Sequence, residues 1–318
     1  MELRTKIPLS TQKKQIDYNS KVLLLGSCFV ENIGMKLNYF KFQSLQNPFG
    51  ILFHPIAIEK LVIRALNDPE SSVFTEEDIF FYNEQWHCFE VHSLVSDSKK
   101  ESFLKLLNDN LLAFRKYILT ASHIIFTYGT AWVYRFIETD TVVANCHKIP
   151  QKKFVKELLT IEKVSTSINN TISLIKLINP DAIIITTVSP VRHIKDGFIE
   201  NTRSKAHLIS GLQDVLESKK DTYYFPSYEI MMDELRDYRF YTEDMLHPNK
   251  TAISILWNKF SEVWISSKTK TLQKKIAIIQ SGLQHKAFNP TSSAHKQFLQ
   301  ELKTKIKTLQ EKFPNIKF

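Results

Sequence analysis

The sequence predicts an α/β fold in which helices cover both faces of a mainly parallel sheet. Two observations favour this class: short apolar runs recur along the chain, and segments with apolar residues at helical spacing lie between them. Continuous apolar runs are typical of strands that are buried on both faces. Strands that alternate with helices indicate a doubly wound, flavodoxin-like domain with three layers, α/β/α.

Four segments are predicted as strands. The first three, KVLLL, HIIFT and AIIITT, are apolar almost throughout, whereas the fourth, TYYF, is aromatic. Such short runs are typical of strands when turn residues bound them. We therefore predict strands at residues 21–25, 123–127, 182–187 and 222–225.

Helices are predicted between these strands because apolar residues recur there at helical spacing. The last of them follows Pro248, which suits a position near the start of a helix. The aromatic, irregular segment near residues 73–95 is interpreted as a small hairpin insertion near a ligand site. The predicted helices are 56–66, 103–119, 154–178 (whole or broken), 203–217 and 249–266.

The basic charge of the chain belongs to its C-terminal end. The formal net charge is +9, and residues 266–318 hold 11 lysines and 2 glutamates, which accounts for all of it. Residues 1–265 form the predicted main domain, and because they carry no net charge we expect no nucleic-acid partner for it. Residues 266–318 are predicted as a basic two-helix extension whose apolar faces pack on the main domain or on a second copy in a homodimer.

Composition argues against several classes of protein. No apolar run approaches the roughly 18–20 residues of a membrane span, and residues 1–18 lack the apolar core of a secretory signal. The three cysteines, Cys28, Cys88 and Cys146, are few and odd in number, so a reducing compartment, the cytoplasm, is expected. The pairs His87-Cys88 and Cys146-His147 match no familiar zinc spacing. Neither a metal site nor a cofactor is predicted.

Two nucleophile-type side chains, Ser27 and Cys28, stand where the first predicted strand gives way to a helix, in VLLLGSCFVENIG. Ligands of an open parallel sheet bind beyond the carboxyl ends of its strands. The first amides of a helix also favour a thiolate or an alkoxide. Either residue is therefore placed to act as a nucleophile. The alternative is structural, with Ser27 as a helix cap and Cys28 as a small buried apolar residue.

A second motif, TEDMLHPNK, combines an acid and a base. Asp244 precedes His247 by three residues, and a proline and a helical pattern follow. Asp244 can fix the tautomer of the imidazole, and His247 can take a proton from a nucleophile. The alternative is a surface turn in which the aspartate is a cap. An early nucleophile followed by a late Asp-x-x-His is a known order of a catalytic triad.

These motifs resemble the GSCFA family, named for the motif that here reads GSCFV at residues 26–30, and through it the SGNH/GDSL hydrolase superfamily. The likeness covers most of residues 20–260. It includes NPFGI, YGTAWVY, NCHK, TVSPVRH, NTRSK and FPSYEIMMDELRDYRFYTEDMLHP. The resemblance implies that Asp244 and His247 serve a nucleophile. That nucleophile falls on Cys28, which we favour, or on Ser27 in the alternative register.

The resemblance also implies an oxyanion hole, and here the sequence departs from the superfamily. The backbone N–H groups of Cys28 and of Gly50, in NPFGI, are the implied donors. Where the superfamily has an oxyanion asparagine, this chain has Ala131. Because one lost donor typically costs about 10²–10³ in rate, we expect a substitute. Asn145 is the first candidate and Thr130 the second.

The predicted function is hydrolysis of a small-molecule acyl ester or thioester by a nucleophile-His-Asp mechanism. His92 and His147 are interpreted as contacts to substrate. Arg192 is expected either to hold an anionic substrate group or to pair with the acidic run at 233–237. Two other functions stay open: acyl transfer to a sugar or other hydroxyl, and binding without catalysis on a degenerate hydrolase fold.

Overall fold

The computed structural model describes residues 5–318. Its strands are β1 (Lys21–Gly26), β2 (Gln43–Gln46), β3 (Ile79–Tyr82), β4 (Gln85–Cys88), β5 (His123–Tyr128), β6 (Trp132–Phe136), β7 (Thr141–Val143), β8 (Phe154–Leu158), β9 (Ile183–Val188) and β10 (Thr222–Tyr224). Its helices are α1 (Cys28–Tyr39), α2 (Pro55–Leu66), α3 (Pro69–Ser72), α4 (Lys100–Thr120), α5 (Ile161–Ile178), α6 (Phe198–Leu216), α7 (Ser227–Glu229), α8 (Lys250–Trp264), α9 (Lys270–Gln284) and α10 (Ser293–Lys312).

Five parallel strands form the central sheet, in the order β10-β9-β5-β1-β2. Leu23 of β1 lies opposite Ile124 of β5, which in turn lies opposite Ile184 of β9. Read from β2, the winding is flavodoxin-like, so the predicted fold class is confirmed. The winding reverses direction between β1 and β5. In open sheets of this kind, ligands bind beyond the carboxyl ends of the strands at that reversal.

Helices cover the sheet on both faces because successive side chains of a strand point to opposite sides. Leu23 and Leu25 of β1 pack into one apolar core, which α2, α4, α5 and α6 complete. Val22 and Leu24 pack into a second core, which is closed chiefly by α1 and α8. The continuous apolar run of β1 therefore serves two cores at once, as the sequence indicated.

The predicted helix at residues 154–178 is wrong over its first part. Phe154–Leu158 forms strand β8, which pairs antiparallel with β6 in a small three-stranded sheet of order β7-β6-β8. Helix α5 begins only at Ile161, after Thr160, whose hydroxyl accepts a hydrogen bond from the Lys163 N–H at 3.2 Å. The long-range pairing with β6 decides the structure of these residues, and no local pattern encodes it.

Strands β2, β3 and β4 also lie outside the four predicted strands. Strand β2 is short and reads QSLQ, so it lacks the apolar pattern of the inner strands; it forms the edge of the sheet beside β1. Strands β3 and β4 form an antiparallel hairpin inside the irregular segment. Its tight connection places Asn83 and Glu84 at positive φ.

The C-terminal helices α9 and α10 pack against each other. Their shared core contains Leu272, Ile276 and Ile279 from α9 and Leu302 and Leu309 from α10, with Tyr18 of the main domain against it. The Gln280 side chain also donates to the Tyr39 carbonyl of α1 at 3.0 Å. The two helices thus bury apolar surface against each other and against the main domain. These contacts lie within one chain and give no support for a homodimer, which stays a prediction. Within residues 5–318, each helix is too short or too polar to cross a membrane.

Candidate active site

The parallel strands of the central sheet all end at its carboxyl edge, where ligands of such sheets bind. A sharp turn at Gly26 leads from β1 into α1. Gly26 has φ +135°, and a Cβ atom at this position would lie 2.1 Å from the Thr127 carbonyl oxygen of β5. Its N–H donates to Asn47 Oδ1 at 3.0 Å. Only glycine fits this turn, which brings the start of α1 against the end of β5.

Ser27 and Cys28 differ in their surroundings. Ser27 is fully buried, its side chain makes no capping bond, and its Oγ has no hydrogen-bond partner within residues 5–318. Cys28 is the first residue of α1 and is half-buried. Burial and the nearby Glu31 carboxylate raise the pKa of the Cys28 thiol, while the Lys205 ammonium and the first backbone N–H groups of α1 act in the opposite direction. Of the two candidate nucleophiles, Cys28 is therefore the more accessible.

Asp244 and His247 form a hydrogen-bonded pair. Asp244 Oδ2 lies 2.6 Å from His247 Nδ1. Its Oδ1 accepts from the backbone N–H groups of His247 and Leu246, at 3.0 and 2.8 Å, and from the Thr242 hydroxyl at 2.6 Å. These bonds, with the His247 N–H first, hold the pKa of Asp244 far below its usual range. The carboxylate stays ionised and favours a proton on Nδ1, so that Nε2 can accept a proton from a substrate or nucleophile.

His193, for which no role was predicted from the sequence, lies beside this pair. Its ring centroid is 6.2 Å from that of His247 and 5.6 Å from that of Phe53. Its Nε2 is buried without a partner in the described part of the chain. Burial first, and then the charges of Lys205 and His247, lower the pKa of His193 to about 4, so this imidazole is neutral at pH 7. The signal in the sequence was its place shortly after a buried strand, at the carboxyl edge.

Lys205 of α6 is the second residue that sequence reasoning missed. Its side chain is fully buried, and its Nζ donates to the carbonyl oxygens of Gly129 and Ser189, both at 2.8 Å. Burial lowers the pKa of Lys205 to about 7. One signal was available: Lys205 lies on the same helical face as Leu208 and Leu212, which are buried.

Gly50, the predicted oxyanion glycine, is part of a tight turn. Its φ is +73°, and a Cβ atom there would lie 2.5 Å from the Cβ of His92, so the turn requires glycine. Its N–H donates to the Asn47 carbonyl oxygen at 2.8 Å. In this structure the Gly50 N–H is thus already bonded within the turn. Its role as an oxyanion donor stays a prediction, and it would require the hydrogen bond to the Asn47 carbonyl to break.

Asn145 and Thr130 line a cleft of about 630 Å³, together with His193 and Phe53. Asn145 Oδ1 accepts from the His147 N–H at 2.9 Å, and its amide NH₂ group makes no hydrogen bond within residues 5–318. The Thr130 hydroxyl accepts from the Trp132 N–H at 3.0 Å and is bonded to Ser204 Oγ, also at 3.0 Å. Asn145 is therefore the more available donor of the two.

His147 was predicted to contact substrate, but its side chain is enclosed by the protein. Its side chain is buried, with Nε2 2.7 Å from the Cys88 carbonyl oxygen and its ring 4.8 Å from that of His87. Burial and the neighbouring His87 lower its pKa to about 4. Within residues 5–318, no group of three or more histidine, cysteine or acidic side chains is arranged to hold a metal ion.

His92 and Arg192 are not among the residues that line the cleft. The His92 N–H donates to the Phe49 carbonyl at 3.0 Å, and the ring is half-buried behind Gly50. The guanidinium of Arg192 donates to Asn201 Oδ1 at 3.2 Å and to Thr202 Oγ1 at 3.1 Å, and it lines a separate pocket of about 290 Å³. Its hydrogen bonds thus go to neutral groups of α6 rather than to the acidic run at 233–237.

Comparison with protein families gives two matches. The model described as the GSCFA family matches residues 21–260, and the model described as the GSCFA domain protein, C-terminal domain, matches residues 265–318. The resemblance to the GSCFA family found in the sequence is thereby confirmed. The comparison with curated proteins gives no match.

Two solved structures resemble the chain at low identity. One is the acetyl xylan esterase Est2A from the rumen bacterium Butyrivibrio proteoclasticus, with 11% identity, a TM-score of 0.41, and coverage of 77% of this chain and 64% of that chain. The other is a family two carbohydrate esterase from Clostridium thermocellum in complex with cellohexaose, with 11% identity, a TM-score of 0.35, and coverage of 83% and 66%. The chain thus spans slightly less than two thirds of the length of each structure.

Proposed function

The chain belongs to the GSCFA family, and we propose that its main domain is an SGNH-type hydrolase of a small acyl ester or thioester. The observation that supports this most is the Asp244–His247 pair, with 2.6 Å between carboxylate oxygen and imidazole nitrogen. A half-exposed imidazole with an ionised partner is suited to accept and return protons. The proposal joins this pair to Cys28, which begins α1 at the reversal of the sheet.

In the proposed reaction, the Cys28 thiol transfers its proton to His247 Nε2 as its sulfur attacks the acyl carbonyl carbon. The tetrahedral intermediate collapses to a thioester, and the leaving alcohol or thiol takes the proton from His247. A water molecule then attacks the thioester, with His247 as the base, and the free acid and the Cys28 thiol are released. Asp244 keeps the imidazole oriented throughout.

The assignment of Cys28 rather than Ser27 rests on access. Ser27 Oγ is enclosed and makes no hydrogen bond in the described structure, whereas Cys28 is partly exposed. A thiolate also forms more readily than an alkoxide. In the proposed site Ser27 is a small side chain that packs near Gly129, in the loop after β5.

The test is turnover of a chromogenic acetyl ester and of an acetyl thioester by the full chain. We expect His247→Ala to lower the rate about 10²–10⁴-fold, as loss of a general base typically does. Cys28→Ala should abolish turnover, while Ser27→Ala should keep most of it. His285→Ala, at an exposed histidine of the tail, is the matched control and should turn over normally.

Acyl transfer to a hydroxyl acceptor is the second candidate, and one observation favours it. The cleft is lined by the aromatic rings of Trp132 and Tyr134, and Lys156 Nζ lies 4.6 Å from the centre of the Trp132 ring. Aromatic walls of this kind suit the apolar face of a sugar. If turnover requires an added sugar, the reaction is transfer; if an ester is cleaved in water alone, it is hydrolysis.

Binding without catalysis is the outcome if neither reaction occurs. An iodoacetamide and a fluorophosphonate probe would then leave Cys28 and Ser27 unlabelled, and His247→Ala would change nothing.

A location in the cytoplasm stays a prediction from the three cysteines.

A further inference from the structure

A second pocket, of about 290 Å³, lies next to the loop that carries His247. Met245 and Leu246, the two residues before His247, are part of its lining, and so is Arg192, which follows β9. The next residue, His193, lines the larger cleft instead, and its ring centroid is 6.2 Å from that of His247. Consecutive residues thus line the two cavities, beside the proposed general base.

Arg192 is a cation whose charge is not compensated within this pocket. No carboxylate forms an ion pair with it within residues 5–318. The other charged residues of the lining are matched: Arg236 Nη2 lies 2.7 Å from Asp233 Oδ1, and Asp237 Oδ2 lies 3.5 Å from Arg239 Nε. The charge that the pocket presents to a ligand is therefore positive, and it belongs to Arg192.

The guanidinium of Arg192 is held in place while part of it stays free. Its Nε donates to Asn201 Oδ1 at 3.2 Å, and its Nη2 donates to Thr202 Oγ1 at 3.1 Å. Both partners are neutral, so they orient the group without cancelling its charge. A guanidinium has five N–H donors, and those of Nη1 have no acceptor in the described part of the chain. A planar cation that is fixed in this way is suited to bind a carboxylate.

The rest of the pocket is mainly apolar. Phe198, Tyr238 and Met245 line it, and each is more than half exposed to solvent. Large apolar side chains that remain exposed around a cavity indicate a binding site. These walls suit a short hydrocarbon chain, and Arg192 suits a negative charge at the end of that chain. The chemical class that fits both is a short aliphatic carboxylate.

We propose that this pocket binds the carboxylate end of a short acyl group, so that the substrates are half-esters or half-thioesters of a dicarboxylic acid. The inference deepens the proposed hydrolase function and rests on it. Size assigns the carboxylate to the acyl side, because the larger cleft of about 630 Å³, with its aromatic walls, is left for the alcohol or thiol part. The carboxylate takes no part in the reaction and serves to hold the acyl group beside His247.

The first experiment measures binding without turnover, by isothermal titration of the full chain with hexanoate and with hexanamide, which has the same carbon chain and no charge. Hexanoate should bind about tenfold more tightly or better, as hydrogen bonds between charged groups allow. Arg192→Met should remove this preference, and Arg192→Lys, which keeps the charge but loses the planar fork, should retain part of it. Equal binding of the two compounds, or a preference that survives Arg192→Met, would overturn the inference.

Arg115 provides the matched control. It is also half-buried and has no carboxylate in an ion pair within residues 5–318. Its Nη1 donates to the carbonyl oxygens of Ala65 and Asn67, at 3.2 and 2.7 Å, and it does not line the cleft or the pocket. Arg115→Met should leave the preference for hexanoate unchanged. An equal loss in both variants would mean that net charge or a general change of structure controls binding, which would contradict the proposal.

Turnover of esters then locates the carboxylate within the substrate. In kcat/KM, the chain should favour mono-4-nitrophenyl adipate over 4-nitrophenyl hexanoate about tenfold or more, and Arg192→Met should abolish that ratio. An ester with its carboxylate on the leaving group, 4-carboxyphenyl hexanoate, should gain nothing over phenyl hexanoate. A gain for that ester alone would overturn the assignment to the acyl side.

The two proposals fail separately. Binding of hexanoate that depends on Arg192, without cleavage of any ester, would remove the hydrolase and the half-ester substrates with it, and would leave the pocket as a carboxylate site. Cleavage of neutral esters that depends on His247, without any preference for a carboxylate, would leave the hydrolase and remove this inference.

Discussion

The two edges of the central sheet treat their polar groups differently. At the amino edge, Asn179 donates to the carbonyls of Ile118 and Ala121, and Lys176 donates to two more. At the carboxyl edge, five buried polar atoms have no hydrogen-bond partner within the described chain. They are Ser27 Oγ, Asn47 Nδ2, Thr127 Oγ1, Tyr128 Oη and His193 Nε2.

This difference indicates which edge is built for a ligand. Buried polar groups in native proteins are nearly always paired, and exceptions call for an explanation. Five such exceptions lie at the edge where the ligand site of this architecture is expected. Two others in the described part of the chain, Ser261 Oγ and Trp264 Nε1, lie in the last turn of α8, which bonds to Ile16 ahead of β1. The larger cluster at the carboxyl edge therefore favours that edge as the candidate active site.

The largest expected effect contrasts an aspartate at each edge. Asp244→Asn removes the group that orients His247, and we expect ester turnover to fall about 10²–10⁴-fold. Asp221, which pairs with Lys14 at 3.1 Å just before β10, is the control at the amino edge. Asp221→Asn should leave turnover unchanged. Equal losses in both variants would erase the proposed difference between the edges.

The turn into α1 is expected to show the next largest effect, on stability. Gly26→Ala adds a Cβ atom 2.1 Å from a backbone oxygen at φ +135°, and strain plus overpacking should lower the free energy of unfolding by about 3 kcal/mol or more. Urea denaturation measures this. Gly282→Ala, within α9, meets the end of the Leu302 side chain at 2.9 Å and Phe298 Cζ at 3.5 Å, and it should change stability by about 1 kcal/mol or less. If Gly26→Ala left the free energy of unfolding unchanged, the ends of β1 and β5 would not need to approach so closely.

Local patterns predicted the part of the fold that local chemistry controls. Strands β1, β5 and β9 are continuous apolar runs because both of their faces are buried, and Asp244 and His247 pair because they stand three residues apart. Strand β8 was mistaken for helix because its partner β6 lies some twenty residues earlier. Lys205 was missed because nothing near it in sequence shows that α6 brings its ammonium group to the loops that follow β5 and β9.

Two buried threonines test whether an unpaired atom has a measurable cost. Thr127 Oγ1 has no partner within residues 5–318, whereas Thr187 Oγ1 lies 2.6 Å from Ser227 Oγ. Thr127→Val should therefore raise the free energy of unfolding by about 1 kcal/mol, because it removes an unsatisfied buried hydroxyl. Thr187→Val should lower it by about 1 kcal/mol, because it removes a hydrogen bond. A destabilised Thr127→Val would mean that this hydroxyl has a partner, and the contrast between the edges would weaken.

The smallest expected effect concerns the carboxylate of Glu31, in the first turn of α1. The Glu31 carboxylate raises the pKa of the Cys28 thiol, so Glu31→Gln should lower that pKa and increase the thiolate fraction at pH 7. Alkylation of Cys28 should then become about threefold faster, the size of effect expected from a partly screened surface charge. Glu101→Gln, at a glutamate likewise in the first turn of its helix, α4, should have no effect. The sign matters more than the size. Slower alkylation of Glu31→Gln would place Cys28 outside the field of this carboxylate and return the choice of nucleophile to Ser27.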